Sequence, residues 1–258
     1  MLDTARLSLE MTRRRPELCA WEIRAFDEID STNAEARRIA LDGASTPVLI
    51  LADSQTAGRG RMGRSFYSPR KTGLYFSILF SSGGMPDRIL SMTSAASVAV
   101  LRAIRRTMGI RVGIKWVNDL YLKEKKIAGI LAESMLGGEK NHFILGIGIN
   151  LSTVEFPQEL EASAGCLDPS ARVGRELLLA EIIAELSRFL EHPEDHSWLE
   201  DYRRYSTVLG KRVVWTDAGV SREGRAEEIT QDGALVVCTD DGERVTLATG
   251  EITLRRVP

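Results

Sequence analysis

Val48-Leu49-Ile50-Leu51-Ala52-Asp53-Ser54-Gln55-Thr56-Ala57-Gly58-Arg59-Gly60-Arg61-Met62-Gly63-Arg64 joins an apolar run to a loop in which three glycines alternate with three arginines. The apolar run reads as a buried strand. Glycine reaches backbone dihedrals that other residues avoid and allows close approach to a ligand. Arginine supplies forked, permanently charged donors for carboxylate and phosphate. A strand leading into such a loop fits two readings: a solvated basic loop, or a loop that handles an anion, which is then expected to order around it.

The rest of the chain extends this reading. Trp21–Phe26 alternates as a half-buried strand does, and Thr32 with Glu35 has the spacing of a helix capping box that stops near Gly43. Residues 74–80 form another strand, 89–108 a largely buried helix, and 111–116 a short strand. Asp119–Leu122 and Lys126–Ser134 read as a hairpin, and His142–Leu151 as a central strand after a Gly137-Gly138 turn. Residues 152–174 are irregular, while 175–190 and 198–206 carry helical periodicity. After Gly210 the pattern changes to short alternating strands with turns at Asp232-Gly233 and Asp241-Gly242. The expected class is α+β, with a mixed, mostly antiparallel sheet and helices. Its expected parts are an N-terminal segment 1–20, a main domain 21–209 and a small β-barrel 210–258.

Composition narrows the function. The 258 residues carry a net charge of −2, which disfavours non-specific nucleic-acid binding, so any positive field must be local. Cys19, Cys166 and Cys238 are odd in number and scattered, which points to a reducing, cytoplasmic setting rather than a disulfide framework. His192 and His196 flank Pro193 with no third ligand nearby, so no histidine metal site is expected. No apolar run approaches the roughly 20 residues of a membrane span. Arg13-Arg14-Arg15 reads as a solvated basic segment.

Six ordered segments carry a resemblance. They are Asp30-Ser31-Thr32-Asn33, Gln55–Arg64, Lys115-Trp116-Val117-Asn118-Asp119-Leu120-Tyr121, Lys126-Ile127-Ala128-Gly129-Ile130-Leu131, Gly146-Ile147-Gly148-Ile149-Asn150-Leu151 and Gly250-Glu251-Ile252-Thr253-Leu254. With these the chain resembles the biotin protein ligases, or biotin–[acetyl-CoA-carboxylase] ligases. The resemblance implies their catalytic fold, with an SH3-like barrel at the C-terminus. It implies a two-step reaction that needs ATP, biotin and Mg2+. Biotin's carboxylate attacks the α-phosphorus of ATP to give biotinyl-5′-AMP and pyrophosphate. A lysine of a biotin carboxyl carrier protein, in acetyl-CoA carboxylase or a related carboxylase, then takes the biotin as an amide.

The resemblance also distributes roles. Ser31, Thr32, Asn33 and Gln55 would hold the ureido head of biotin; they are neutral donors and acceptors suited to a buried urea. Arg59, Gly60 and Arg61 would close over biotin and the acyl phosphate, with Gly129 permitting close approach. Lys126 would sit between carboxylate and α-phosphate. Arg61, Arg64, Phe66, Lys115, Asn118, Asp119 and Asn150 would form the adenylate side. Catalysis would fall to Lys126, Arg61, Lys115 and Asp119, with Asp119 also the candidate metal ligand. Bringing an anionic nucleophile to an anionic phosphate requires fixed cations, and this set supplies five.

Two positions depart from the family pattern. Phe66 stands where tryptophan is frequent, and Val117 where proline is. Phe66 keeps the aromatic face and loses the indole N–H; Val117 loosens one torsion and adds an N–H. Only 29 residues precede Asp30, fewer than a fused winged-helix domain needs, so no DNA binding is expected. A lipoate ligase would leave the polar head of the pocket unpaired, and a non-catalytic binding module would not need cations aimed at phosphates. Monomer and homodimer both stay open.

Overall fold

The computed structural model describes residues 2–43, 47–81, 88–136, 141–170, 172–217 and 219–254. The chain opens with α1 (Thr4–Arg14), a 3-10 turn (Pro16–Ala20), β1 (Glu22–Phe26), α2 (Thr32–Leu41), β2 (Val48–Ala52), β3 (Gly73–Ser81) and α3 (Ile89–Met108). Then follow β4 (Gly113–Lys115), β5 (Asp119–Leu122), β6 (Lys125–Met135), β7 (His142–Asn150), α4 (Gln158–Glu161), α5 (Arg175–Glu191) and α6 (Trp198–Tyr205). The last part holds β8 (Arg212–Asp217), β9 (Val220–Ile229), β10 (Leu235–Cys238), β11 (Arg244–Leu247) and β12 (Ile252–Leu254). The Gly137-Gly138 turn lies outside the described residues.

The main sheet has seven strands in the order β1-β2-β3-β7-β6-β5-β4. Only β1 and β2 run parallel; the other pairs are antiparallel. This is the mixed, mostly antiparallel sheet expected from the sequence. Both of its faces are used, and strand parity shows how. Leu49, Leu51, Phe76, Ile78, Leu145 and Ile147 pack into the large core that includes α1, α3, α5 and α6. Their alternates Val48, Ile50, Leu79 and Ile144 pack on Ala36, Ile39 and Ala40 of α2. Because side chains alternate along a strand, Ser77 of β3 and Gly146 and Gly148 of β7 fall on the α2 face. There α2 covers only part of the sheet, and the remaining space becomes the site.

A second sheet, order β11-β10-β9-β8-β12, follows. It is antiparallel throughout and packs on the first. Val213, Trp215, Ile229, Leu235 and Ile252 join the same core as Ile104 and Tyr202. Trp116 Nε1 donates to Gly233 O across this junction at 2.9 Å, and Tyr202 Oη donates to Val117 O at 3.1 Å. The segment Trp116–Asp119 is therefore fixed from behind by α6 and by the second sheet. The Trp116–Val117 peptide bond is cis.

Three local expectations need correction. Ser31, not Thr32, is the N-cap of α2, and it makes no side-chain cap bond. The Thr32 hydroxyl is instead drawn to Gln55 and Ser77, while the Glu35 carboxylate pairs with Arg38. Of the basic run only Arg13 is solvated, its side chain 64% exposed. Arg14 reaches Glu10 and Glu181, and Arg15 reaches Glu17 and Glu191, because α1 lies along α5 and buries Leu7 and Met11. Within 152–174 the chain makes one short helix, α4. Among the described residues no helix is long and apolar enough to cross a membrane.

Candidate active site

The Gly/Arg loop leaves β2 on the α2 side of the sheet. It carries a backbone ladder of its own. Gly60 N donates to Arg64 O at 2.7 Å and Phe66 N to Gly58 O at 2.9 Å, with Arg59 bridging Ser65. Met62 and Gly63, at φ 54° and 75°, turn its tip. Met62 points outward, 74% exposed.

Beneath the loop lies a cavity of about 100 Å³, lined at one end by Ser31, Thr32, Asn33 and Gln55 and at the other by Arg59, Gly60, Arg61, Arg64, Asn118, Asp119 and Lys126. The first end is neutral, and its backbone and side chains are held in register. Thr32 N donates to Gln55 Oε1 at 2.8 Å, and the Thr32 hydroxyl lies 3.2 Å from the same oxygen. Gln55 Nε2 donates to Ser68 Oγ at 2.9 Å. Ser31, Thr32 and Asn33 are 2–4% exposed.

A second cavity, of about 400 Å³, adjoins the first; Lys115, Asn118, Asp119, Tyr121, Asn150 and Phe156 line it with residues 250–253, at the start of β12. Arg61, Arg64, Phe66, Asn118, Asp119 and Lys126 line both cavities. Arg59 and Gly129 border only the first, and Lys115 and Asn150 only the second. The structure thus gathers every site residue named from the sequence around two joined spaces. Four of the five cations are already engaged. Lys126 Nζ lies 2.7 Å from Asp119 Oδ1. Arg61 Nη1 donates to Asn118 Oδ1 at 3.3 Å. Arg64 pairs with Glu251, and Lys115 Nζ sits 5.7 Å from the Tyr121 ring centroid. Asn150 Nδ2 donates to Gly165 O at 3.0 Å, leaving its buried Oδ1 without a partner among the described residues.

Four residues with functional positions carry no role in the sequence reading. Gly146 and Gly148 form the cavity floor. A Cβ at Gly146 would stand 1.9 Å from Asn33 Oδ1, and one at Gly148 would stand 2.5 Å from the Phe66 ring. The available signal was a pair of glycines two apart in an otherwise apolar strand, which marks close approach. Ser77, fully buried on β3, touches Thr32 and Asn33. Tyr121 lines the larger cavity; burial pushes its phenol up to about 12, with Asp119 and Glu251 adding to the shift, so it stays a neutral donor at working pH.

The chain is similar to known proteins in both of its parts. Residues 25–150 match the biotin/lipoate A/B protein ligase family, and residues 208–255 match the biotin protein ligase C terminal domain. The biotin–[acetyl-CoA-carboxylase] ligase of Mycobacterium tuberculosis is 31% identical over 233 residues, covering 86% of this chain and 85% of its own. The bifunctional ligase/repressor BirA of Bacillus subtilis is 29% identical over 224 residues, 84% of this chain and 69% of its own. The solved biotin protein ligase of Aquifex aeolicus in complex with biotin and ATP superposes with a TM-score of 0.76 at 29% identity, covering 92% of this chain and 99% of that one. On these matches, which span both sheets, the chain belongs to the biotin protein ligase family.

Proposed function

We propose that this chain activates biotin with ATP in the two joined cavities and passes it to a lysine of a biotin carboxyl carrier domain. The supporting observation is the join itself. A neutral polar head lies at one end, and the cations Lys126, Arg61 and Arg64 stand where the two spaces meet. Biotin seated head-first against Thr32, Asn33 and Gln55 would direct its carboxylate to that meeting point. ATP in the larger cavity would bring its α-phosphorus to the same place. Lys126 and Arg61 then offset the repulsion between the two anions and the charge that builds on the phosphoryl oxygens. The Gly/Arg loop roofs the space and keeps water from the mixed anhydride. Magnesium, bound mainly by the triphosphate, would neutralise phosphate charge, and Asp119 and Glu251 are the carboxylates lining that cavity. The sister activity on lipoate is disfavoured by the polar head, because a dithiolane would leave its donors and acceptors unpaired.

The test is acceptor-free turnover. Protein mixed with Mg-ATP and biotin should release about one equivalent of pyrophosphate and retain a biotinyl-AMP mass in native mass spectrometry. Lipoate should give neither. Release with lipoate alone would move the activity to the sister ligases, and bound biotin without release would leave a binding module.

Arg61 spans both cavities, whereas the biotin head lies at the far end of the smaller one. Arg61→Ala is therefore expected to speed loss of the bound adenylate by about tenfold or more while biotin affinity falls less, since a charge-assisted bond to phosphate is the contact removed. Equal losses in dissociation rate and biotin titration would remove Arg61 from the phosphate side.

A further inference from the structure

Glu133 of β6 lies outside both cavities yet controls the wall of the smaller one. Its carboxylate, 22% exposed, accepts from Asn33 Nδ2 at 2.8 Å through Oε2 and from Arg37 Nη2 at 3.0 Å through Oε1. Beyond Asn33 the contacts continue: Asn33 Oδ1 lies 2.6 Å from Ser77 Oγ, and Ser77 Oγ lies 2.7 Å from Thr32 Oγ1.

Proton counting gives this chain a direction. A carboxylate only accepts, so the Asn33 NH2 must face Glu133 and its oxygen must face Ser77. The amide oxygen has no proton, so Ser77 must spend its single hydroxyl proton on that 2.6 Å contact. Ser77 Oγ is then an acceptor toward Thr32, and the Thr32 hydroxyl donates to it. The alternative acceptor, Gln55 Oε1, is farther at 3.2 Å and is already served by Thr32 N. With its proton turned inward, Thr32 Oγ1 offers lone pairs to the cavity that it lines.

We infer that Glu133 is a positioning residue that sets the hydrogen-bond polarity of the biotin head site, making Thr32 an acceptor for a urea N–H. The inference rests on the assignment of the smaller cavity to biotin. It distinguishes a ligand that donates at its head from one that cannot, and so places part of the specificity three side chains away from the ligand.

Glu133→Gln tests it without changing shape. Arg37 can only donate, so it draws the new amide oxygen to itself and turns the amide NH2 toward Asn33. Asn33 must then invert, Ser77 must donate to Thr32, and Thr32 points its proton rather than a lone pair at the cavity, because Gln55 Oε1 is farther off and already served by Thr32 N. Calorimetric titration should show biotin weakened by about tenfold or more, the loss expected where a buried acceptor becomes unsatisfied. An analogue methylated at the ureido nitrogens, which has no N–H to donate, should change by less than about threefold, and KM for ATP should stay within about twofold. Adding Arg37→Met to Glu133→Gln frees the amide to turn back and should restore most of the biotin affinity. Unchanged biotin binding in Glu133→Gln overturns the inference. So do equal losses for biotin, analogue and ATP, which would mean a damaged fold, and a double variant no better than the single one. A parent protein that binds ATP but not biotin overturns the cavity assignment itself, and the inference falls with it.

Discussion

Lys126→Ala should lower the single-turnover rate of pyrophosphate release from biotin and Mg-ATP by about 10³-fold, the upper end of what losing one neutral donor from a preorganised site costs. The size follows from what surrounds the lysine. Its ammonium lies 2.7 Å from Asp119 and borders both cavities at their junction. Truncation removes the cation that the two reacting anions share. It also leaves the Asp119 carboxylate facing them without compensation, and breaking one side of a partly buried pair costs more than the pair is worth. Two measurements follow. ATP binding without biotin should weaken far less than the rate falls. Asp119→Asn combined with Lys126→Ala should recover part of the loss, because the two changes are coupled. A near-normal rate in Lys126→Ala would remove the lysine from the chemistry.

Gly146→Ala should weaken biotin binding by about 100-fold, roughly 3 kcal/mol, with the fold intact. One methyl group suffices because a Cβ there would stand 1.9 Å from Asn33 Oδ1. Asn33 cannot step aside freely, since Glu133 holds its nitrogen and Ser77 its oxygen. The displaced amide breaks those contacts and moves into the space where the head of the ligand sits. The broken contacts lower the thermal midpoint, partly offset because strand propensity favours alanine over glycine, so the protein should still fold while calorimetric titration with biotin collapses. Biotin affinity equal to that of the parent would show that the head of the ligand lies elsewhere.

Much of this was legible in the sequence. The apolar runs at 48–52, 74–80 and 142–151 and the periodicity of 89–108 and 175–190 gave elements that the structure reproduces within a few residues. These segments are long and strongly patterned, and burial follows their pattern. The neutral and cationic groups of the site were named from ordered motifs. What escaped depends on sheet register, which no local pattern states. Ser77 stands opposite Gly146, which stands opposite Leu131, and Gly148 stands between Tyr75 and Gly129. Only with that register does it emerge that the glycines are floor and the serine a relay. Glu133 was hidden for the same reason, its two partners lying 96 and 100 residues away in sequence. Arg14 and Arg15 were misread because, besides the local Glu10 and Glu17, each pairs with a glutamate of α5, beyond the reach of any windowed reading.

The pairing of the cations with Asp119, Asn118 and Glu251 has a consequence for selectivity. An anion arriving between Lys126, Arg61 and Arg64 finds each of the three already paired. It must exchange places with an oxygen already in position, so its gain is a difference between two similar contacts. A small ion such as phosphate, with nothing else to hold, gains little by the exchange. A ligand anchored at its far end, by a ureido head or an adenine, makes the exchange at high local concentration and carries it through. Stray anions and departing pyrophosphate are thereby kept from occupying the place where the next carboxylate and phosphate must meet.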